Sequence, residues 1–201
     1  MSKRVNKSKK SDEIVVDEKR GHLYVGDKEL RLIMLRPIDL VELLEFAGTN
    51  ANDILIWVGK NISSIICEKL IFGDDVKNDS LSEKKLIFND VLDTFEHLGY
   101  GSLITKFGKN KITVIVVDPI SGEEKGNIMA KNICIFYQGV FNGVLEYIGI
   151  DILQGEETKC KLLGDEACVF EFTLLLDEFG EDDIDNEKEG SESVQNFLDT
   201  L

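Results

Sequence analysis

The spacing of apolar residues changes several times along this chain, and the order of the changes limits the folds it can adopt. Strand-like pairs are predicted at 13–36, 102–118 and 151–176, with helical spacing between them at 37–98 and 128–149. Hairpins separated by helices are typical of an α+β fold and differ from the repeated strand–helix–strand units of a doubly wound sheet. We therefore predict antiparallel β-hairpins forming a sheet that packs against a layer of helices.

Single residues mark where several of these elements begin or turn. Gly26-Asp27 lies between two strand-like runs and is typical of a hairpin turn. Pro37 suits the first turn of a helix because its fixed backbone angle is already helical. Ser80 and Glu83 have the spacing of a capping box, so we expect another helix to begin there.

Two predicted helices carry continuous apolar faces. The first extends from about Asn52 to Phe72. The second, at 128–149, contains Gly139 and Gly143, which are four residues apart and so lie on one helix face. Small residues at this spacing allow a second helix or strand to approach closely. We expect such a contact along the helix at 128–149.

Charge divides the chain into three parts. Residues 1–12 are basic and poor in apolar side chains, and residues 177–201 are strongly acidic. Segments of this composition bury too little apolar surface to fold by themselves. We therefore predict a single folded domain at 13–176, between a disordered basic arm and a disordered acidic tail.

The overall charge and the apolar runs exclude some classes of partner. A formal net charge of −15 disfavours nucleic acid and anionic membrane, because phosphate-rich surfaces attract basic proteins. The N-terminal stretch lacks the apolar region of a secretory signal, and the uncharged run from Asn132 to Leu145 is too short to span a bilayer. We expect a cytoplasmic protein whose cysteines are reduced.

Motifs for nucleotide binding or hydrolysis are missing from the sequence. It has no phosphate-binding G-x-x-x-x-G-K-[ST] loop, no G-x-G-x-x-G turn after a strand and no G-x-S-x-G elbow. Its two histidines, His22 and His97, fall in a predicted strand and at a predicted helix end. The residues therefore favour a binding protein over an enzyme.

The cysteines carry the strongest chemical signal. Cys160 and Cys168 flank Gly164 symmetrically, so a tight loop at 163–165 would place the two thiols opposite each other across a hairpin. Two such thiols form half of a tetrahedral site for a soft metal. Cys134 could supply a third thiolate, and Glu157 is the nearest carboxylate.

Strand geometry leaves the fourth ligand open. Glu157 and Cys160 are three residues apart and would face opposite sides of a regular strand, so a bulge or strong twist is needed to bring them together. Glu156 has the spacing for the same face as Cys160. An unligated thiol pair and a hairpin disulfide are the alternatives to a metal site.

Residues 137–172 resemble the C-terminal signature of the 4-vinyl reductase-like domain family. The matching residues are Gly139, Gly143, Glu157, Thr158, Lys159, Cys160, Gly164, Asp165, Cys168 and Phe170. The resemblance implies a fold similar to TRAPP vesicle-tethering subunits and haem-nitric-oxide-associated ligand-binding domains. Such a protein is an α+β homodimer with a buried apolar pocket.

The same resemblance implies a zinc site. Members of the family that sense aromatic compounds bind zinc through an upstream cysteine and a Glu-x-x-Cys-x7-Cys run. Cys134, Glu157, Cys160 and Cys168 fall on those positions, so the resemblance favours Glu157 over Glu156. Cys67 is left as an ordinary buried thiol.

We therefore expect a non-enzymatic sensor module for a small hydrophobic molecule, aromatic or hydrocarbon-like, with a structural zinc that clamps the C-terminal hairpin. The candidate pocket residues are Trp57, Phe88, Phe95, Phe136 and Tyr137. One alternative is a dimeric scaffold without a ligand. Another is a vinyl-group reductase component, which would need a separate reductant because the chain has no nicotinamide or flavin fingerprint.

Overall fold

The computed structural model describes residues 14–25, 30–71, 76–122 and 131–175. The predicted turn at Gly26-Asp27, the basic arm and the acidic tail lie outside these ranges. The proposed domain boundaries therefore stay a prediction.

The N-terminal part of the chain forms a small antiparallel sheet followed by a helix. Its elements are β1 (Ile14–Asp17), β2 (His22–Val25), β3 (Leu30–Leu32) and α1 (Pro37–Ala47). The strand order is β1-β2-β3, and α1 begins at the proline, as predicted. These three strands form a sheet of their own, and residues 33–36 connect β3 to α1.

Two longer helices follow, α2 (Ala51–Ile66) and α3 (Leu81–His97). The helix predicted from about Asn52 to Phe72 is present as α2 and a π-helical turn at Cys67–Ile71, and Phe72 lies outside the described residues. Ser80 caps α3: its hydroxyl accepts the Glu83 N–H at 3.4 Å, and the Glu83 carboxylate accepts the Ser80 N–H at 2.9 Å. The predicted capping box is therefore present.

The larger sheet contains the remaining strands and contacts one more helix. Its members are β4 (Leu103–Gly108), β5 (Lys111–Val116), β6 (Ile152–Lys159) and β7 (Cys168–Leu174), with α4 (Lys131–Tyr147) between β5 and β6 in the chain. The strand order is β4-β5-β7-β6, and every neighbouring pair is antiparallel. The α+β class with antiparallel strands against helices is confirmed.

The close approach predicted at the glycines of α4 is made by α2. A Cβ atom at Gly139 would lie 2.5 Å from the carbonyl oxygen of Ile56, and one at Gly59 would lie 2.5 Å from the carbonyl oxygen of Phe136. The two backbones are in contact, so any larger side chain must push the helices apart. Toward the sheet, the Phe141 ring packs edge-to-face on Phe170 of β7 at 5.3 Å.

Candidate metal centre

Four side chains from three neighbouring segments meet at one end of the larger sheet. Cys134 lies in the first turn of α4, Glu157 in β6, Cys160 directly after β6, and Cys168 at the start of β7. One ligand atom from each lies within 4.8 Å of all the others. The Cys134 sulfur is 3.9 Å from the Cys160 sulfur and 3.8 Å from the Cys168 sulfur.

The turn between β6 and β7 places two of these thiols. Residues Lys161–Leu163 form a 3₁₀ turn that Gly164 ends with a φ of +108°, a backbone angle that favours glycine. The Asp165 carboxylate accepts the N–H of Cys160 at 2.8 Å and holds the turn closed. Cys160 and Cys168 are therefore close because of local turn chemistry.

A β-bulge in β6 brings the glutamate to the cysteines. Glu157 pairs with Phe170 and Lys159 pairs with Val169, so Thr158 is an extra residue in this strand. The bulge changes the alternation of side chains, which allows Glu157 and Cys160 to share a site although they are three residues apart. This is the irregularity that strand geometry requires for joint ligation.

The rival carboxylate lies elsewhere. Glu156 is exposed and pairs with Glu171 of β7. The group of possible metal ligands contains Glu157. The carboxylate brought to the cysteines is thus the one that the family resemblance favoured.

The donor set fits a metal ion. A tetrahedral centre with Zn–S bonds of about 2.3 Å places its donors about 3.8 Å apart, close to the two thiol separations. The Oε1 atom of Glu157 is buried and has no hydrogen-bond partner among the described residues, a costly arrangement that a cation would relieve. Thiolates with one carboxylate are typical zinc ligands, and soft metals in general prefer thiolates.

Burial and thiol–thiol hydrogen bonds set the proton affinities in this cluster. The pKa of Cys134 is lowered chiefly because Cys168 donates a hydrogen bond to it. The pKa of Cys168 is raised by the same bond and by burial, and burial raises the pKa of Cys160 to about 11. Without a cation Cys134 is therefore the most acidic of the three thiols, whereas a metal ligated by all three thiolates would displace their protons.

A second layer of contacts surrounds the cysteines. Ser121 is fully buried, and its hydroxyl oxygen lies 3.4 Å from the Cys134 sulfur. The backbone N–H of Lys161 donates to the Cys168 sulfur at 3.4 Å, while its ammonium group donates to the Val117 carbonyl oxygen at 2.9 Å. Sequence reasoning missed these residues because no spacing rule relates 117–121 to the hairpin.

Tyr137 ties this region to two loops. It lies one turn after Cys134 on α4, and its hydroxyl accepts the Ile120 N–H at 2.8 Å and donates to the Tyr100 carbonyl oxygen at 2.6 Å. Burial raises the pKa of this phenol well above its ordinary value, so it stays protonated as a donor. Cys134 and Tyr137 thus both contact the segment at 120–121.

The predicted pocket residues do not form one group. Phe88, Phe95, Phe136 and Tyr137 are buried in the main core, and Phe136 stacks on Tyr100 with ring centres 5.4 Å apart. Trp57 is 66% exposed and lies outside that core. Contact between a ligand and the four buried rings stays a prediction.

Cys67 is separate from the metal-ligand group. It lies immediately after α2 and is fully buried in the main core. Burial raises the pKa of its thiol to about 12, which keeps it protonated and unreactive at neutral pH.

Residues 128–174 match the model of the V4R domain. The match contains all four residues of the cluster and confirms the resemblance to the 4-vinyl reductase-like family. No match was found among curated proteins.

Solved structures similar to this chain include a ligand-sensing domain. The phenol-responsive sensory domain of the transcription activator PoxR, in complex with phenol, has a TM-score of 0.55 at 17% identity, covering 84% of this chain and 87% of its own. This likeness supports the assigned fold.

Two weaker structural similarities involve the two folds that the family resemblance implies. An H-NOX protein from S. oneidensis has a TM-score of 0.47 at 16% identity, covering 69% of this chain and 71% of its own. Subunit 3 of a trafficking protein particle complex from Naegleria fowleri, covalently bound to palmitic acid, has a TM-score of 0.34 at 19% identity, covering 73% and 87%. Neither score is high enough to support the fold assignment.

None of the helices in the described ranges combines the length and the apolar character needed to cross a membrane.

Proposed function

We propose that this protein is a binding module for a small hydrophobic molecule, aromatic or hydrocarbon-like, and that a structural zinc clamps its C-terminal hairpin. The observation that carries the proposal is the buried group of three thiols and one carboxylate, with its unpartnered glutamate oxygen. The fold that the chain shares with a phenol-responsive sensory domain supports a sensor role. The V4R match covers the part of the chain that contains the clamp.

The role of the zinc follows from its ligands. Cys134, Glu157, Cys160 and Cys168 supply four donors, so a tetrahedral ion has no open position for an activated water. Zinc would provide bonds that hold α4 to the β6–β7 hairpin. Ser121 and the Lys161 N–H would orient the Cys134 and Cys168 sulfurs from the outside.

The core offers a suitable environment for the hydrophobic ligand. Phe88, Phe95 and Phe136 are buried, and aromatic side chains line most pockets that bind small apolar molecules. Native mass spectrometry of freshly purified protein tests this part, with a co-purified apolar molecule as the expected result and ligand-free protein in repeated preparations as the contrary one.

Exposed apolar residues support a homodimer. Phe46 and Leu43 on α1 are 94% and 63% exposed, and Met34 just before the helix is 83% exposed. A helix that is apolar on both faces needs a partner on its outer side. We expect sedimentation to show a dimer that Phe46→Ser weakens; a wild-type monomer at all concentrations would contradict this proposal.

A matched pair of substitutions tests the clamp. Glu157→Gln removes a proposed ligand, whereas Glu156→Gln makes the same chemical change at the neighbouring exposed carboxylate. We expect about one zinc per chain in wild-type and Glu156→Gln protein, and at least about a tenfold loss of zinc affinity in Glu157→Gln. Equal affinities in the two variants, or wild-type protein that takes up no zinc, would refute the clamp.

The remaining expectations stay predictions. The cytoplasmic location, the lack of a nucleic-acid partner and the lack of enzymatic activity rest on the sequence arguments alone. A reductase role would need a separate reductant, and incubation with a vinyl-bearing porphyrin and a reductant tests it directly.

A further inference from the structure

A cleft of about 760 Å³ lies between α2, the short turn at Val76–Asn78 and the C-terminal half of α4. Trp57 and Tyr147 provide aromatic surface in this cleft, and Lys60 and Lys77 provide positive charge. None of its lining residues belongs to the metal-ligand group. It is therefore a site distinct from the zinc clamp.

Among the described residues that line the cleft, positively charged side chains outnumber negatively charged ones. The Lys60 ammonium group forms an ion pair with the Glu146 carboxylate at 3.0 Å. Lys77 has no ion-pair partner among the described residues. Two lysines and one glutamate leave one positive charge in the cleft, on a chain whose net charge is −15. A single anionic group is the natural complement to that charge.

The position of Lys77 is held by the backbone around it. Val76, the residue before it, is buried in the main core. Gly149 follows α4 with a φ of +70°, and a Cβ there would lie 3.2 Å from the Cβ and Cγ atoms of Lys77. The start of the lysine stem therefore rests on the end of α4, and the exposed side chain lines the cleft.

An aromatic side chain at the cleft is left unusually accessible. Trp57 is the single tryptophan of the chain and is 66% exposed. A planar apolar group can pack against the exposed face of the indole.

A second cleft of about 700 Å³ shares Lys60, Lys77 and Glu146 with the first and extends along the start of β6. Asn142 lines it, and the Oδ1 atom of this side chain is buried without a hydrogen-bond partner among the described residues. Such an atom is a costly feature that a ligand or water donor can satisfy. The lysines thus lie where the two clefts meet, with polar surface on one side and aromatic surface on the other.

We propose that the first cleft binds an aromatic carboxylate, with its ring against Trp57 and Tyr147 and its carboxylate at Lys77. A neutral aromatic molecule would leave the Lys77 charge uncompensated, and a small inorganic anion would leave the indole surface in water. A ligand with one negative charge and one planar ring complements both the Lys77 charge and the exposed Trp57 indole. This site does not depend on whether a hydrophobic ligand enters the core.

The single tryptophan makes the proposal directly measurable. Zinc-loaded full-length protein is titrated with naphthalene-2-carboxylate, and in parallel with naphthalene-2-carboxamide, while tryptophan fluorescence is recorded. We expect saturable quenching by the carboxylate, weaker binding of the neutral amide, and loss of affinity as salt is added. The same titration with Lys77→Gln should show affinity lower by about threefold to fivefold.

A matched variant separates the local charge from the overall charge. Lys19→Gln removes one positive charge in the exposed turn between β1 and β2, far from the cleft in sequence and absent from its lining. We expect it to bind the carboxylate as the wild type does. Equal binding of carboxylate and amide, equal loss in both lysine variants, or no saturable quenching up to millimolar ligand would overturn the proposal.

One competing occupant is a second copy of the chain. If the copy covers the cleft, quenching by the carboxylate will weaken as protein concentration rises through the dimerisation range, and that result also overturns the proposal. Failure here leaves the zinc clamp standing, because metal content and Glu157→Gln are measured independently.

Discussion

The N-terminal unit (14–25 and 30–47) and the C-terminal unit (131–175) use apolar residues in opposite ways. The N-terminal unit fully buries only a few of them, among its described residues Val25, Val41 and Leu44, and leaves Phe46 94% exposed. The C-terminal unit buries most residues of α4 and most residues of β7. A similar apolar pattern is therefore left exposed in one place and buried in a core in the other.

The core of the C-terminal unit depends on three close arrangements of residues. Gly139 lets two helix backbones touch, a bulge at Thr158 re-aims Glu157, and Tyr137 joins two loops. Each of these arrangements holds neighbouring atoms at close distances and tolerates little displacement. The N-terminal unit has ordinary strand pairs and a capped helix, so we expect substitutions there to cost less.

The largest effect should come from the group of three cysteines and one glutamate that we propose as a zinc site. Cys168→Ser removes a proposed zinc ligand and should lower the free energy of unfolding by at least about 3 kcal/mol, because metal binding contributes directly to folding. Cys67→Ala is the control, since it alters a buried thiol outside the cluster and should cost about 1 kcal/mol with zinc content unchanged. Thermal melts with parallel metal analysis compare them. Equal melting temperatures would mean that the cluster has no special role.

The next largest effect should come from the glycine contact. Gly139→Ala places a methyl group 2.5 Å from a backbone oxygen of α2, so α2 and α4 must separate at a cost of about 2–4 kcal/mol. At Gly108 the nearest atom to an added Cβ is 3.5 Å away, which is ordinary contact. Urea unfolding should therefore show Gly108→Ala close to wild type. A Gly139→Ala protein of wild-type stability would show that the helix contact is loose.

A pair of tyrosine substitutions compares the two units with the same chemical change. Tyr137→Phe leaves the half-buried N–H of Ile120 without its acceptor and should cost about 1–2 kcal/mol. Tyr24→Phe, in β2, removes a half-buried hydroxyl whose partner is His22 at 2.7 Å, and we expect a loss below about 0.5 kcal/mol. Denaturant midpoints measure both. Equal losses would remove the contrast between the units.

The smallest effect is expected at the start of α1 as pH falls. The Arg36 guanidinium donates to the Asp39 carboxylate at 2.6 Å and lowers the pKa of that carboxyl below its ordinary 3.8. Because the folded-state pKa is depressed, this contribution to stability is present above about pH 4 and is lost as pH falls below it. The pair is exposed, so the change should be slight and confined to α1. Hydrogen exchange of α1 in wild type and Asp39→Asn, compared at pH 3 and pH 6, measures it; a pH dependence retained in the variant would rule out Asp39 as the cause.

Local signals in the sequence were sufficient for most of the elements. Pro37, the Ser80–Glu83 box and Gly164 act on their immediate neighbours, so their effects could be predicted without the rest of the chain. The β6–β7 hairpin was predicted for the same reason. The separation of β1–β3 from the larger sheet was not, because no local signal states which strands pair across distant segments.

The candidate site shows the same division. The sequence by itself determined which side chains could meet: turn chemistry joins Cys160 and Cys168, Cys134 offers a third thiolate, and the family resemblance favours Glu157. Only the tertiary structure decided that a bulge brings Glu157 into the group, that Ser121 and Tyr137 support it, and that Trp57 lies at an open cleft instead of in the core. The physical reason is the distance along the chain over which each effect acts. Caps and turns depend on a few adjacent residues. The direction of a side chain after a bulge and the burial of a helix face depend on the distant segments that pack against them.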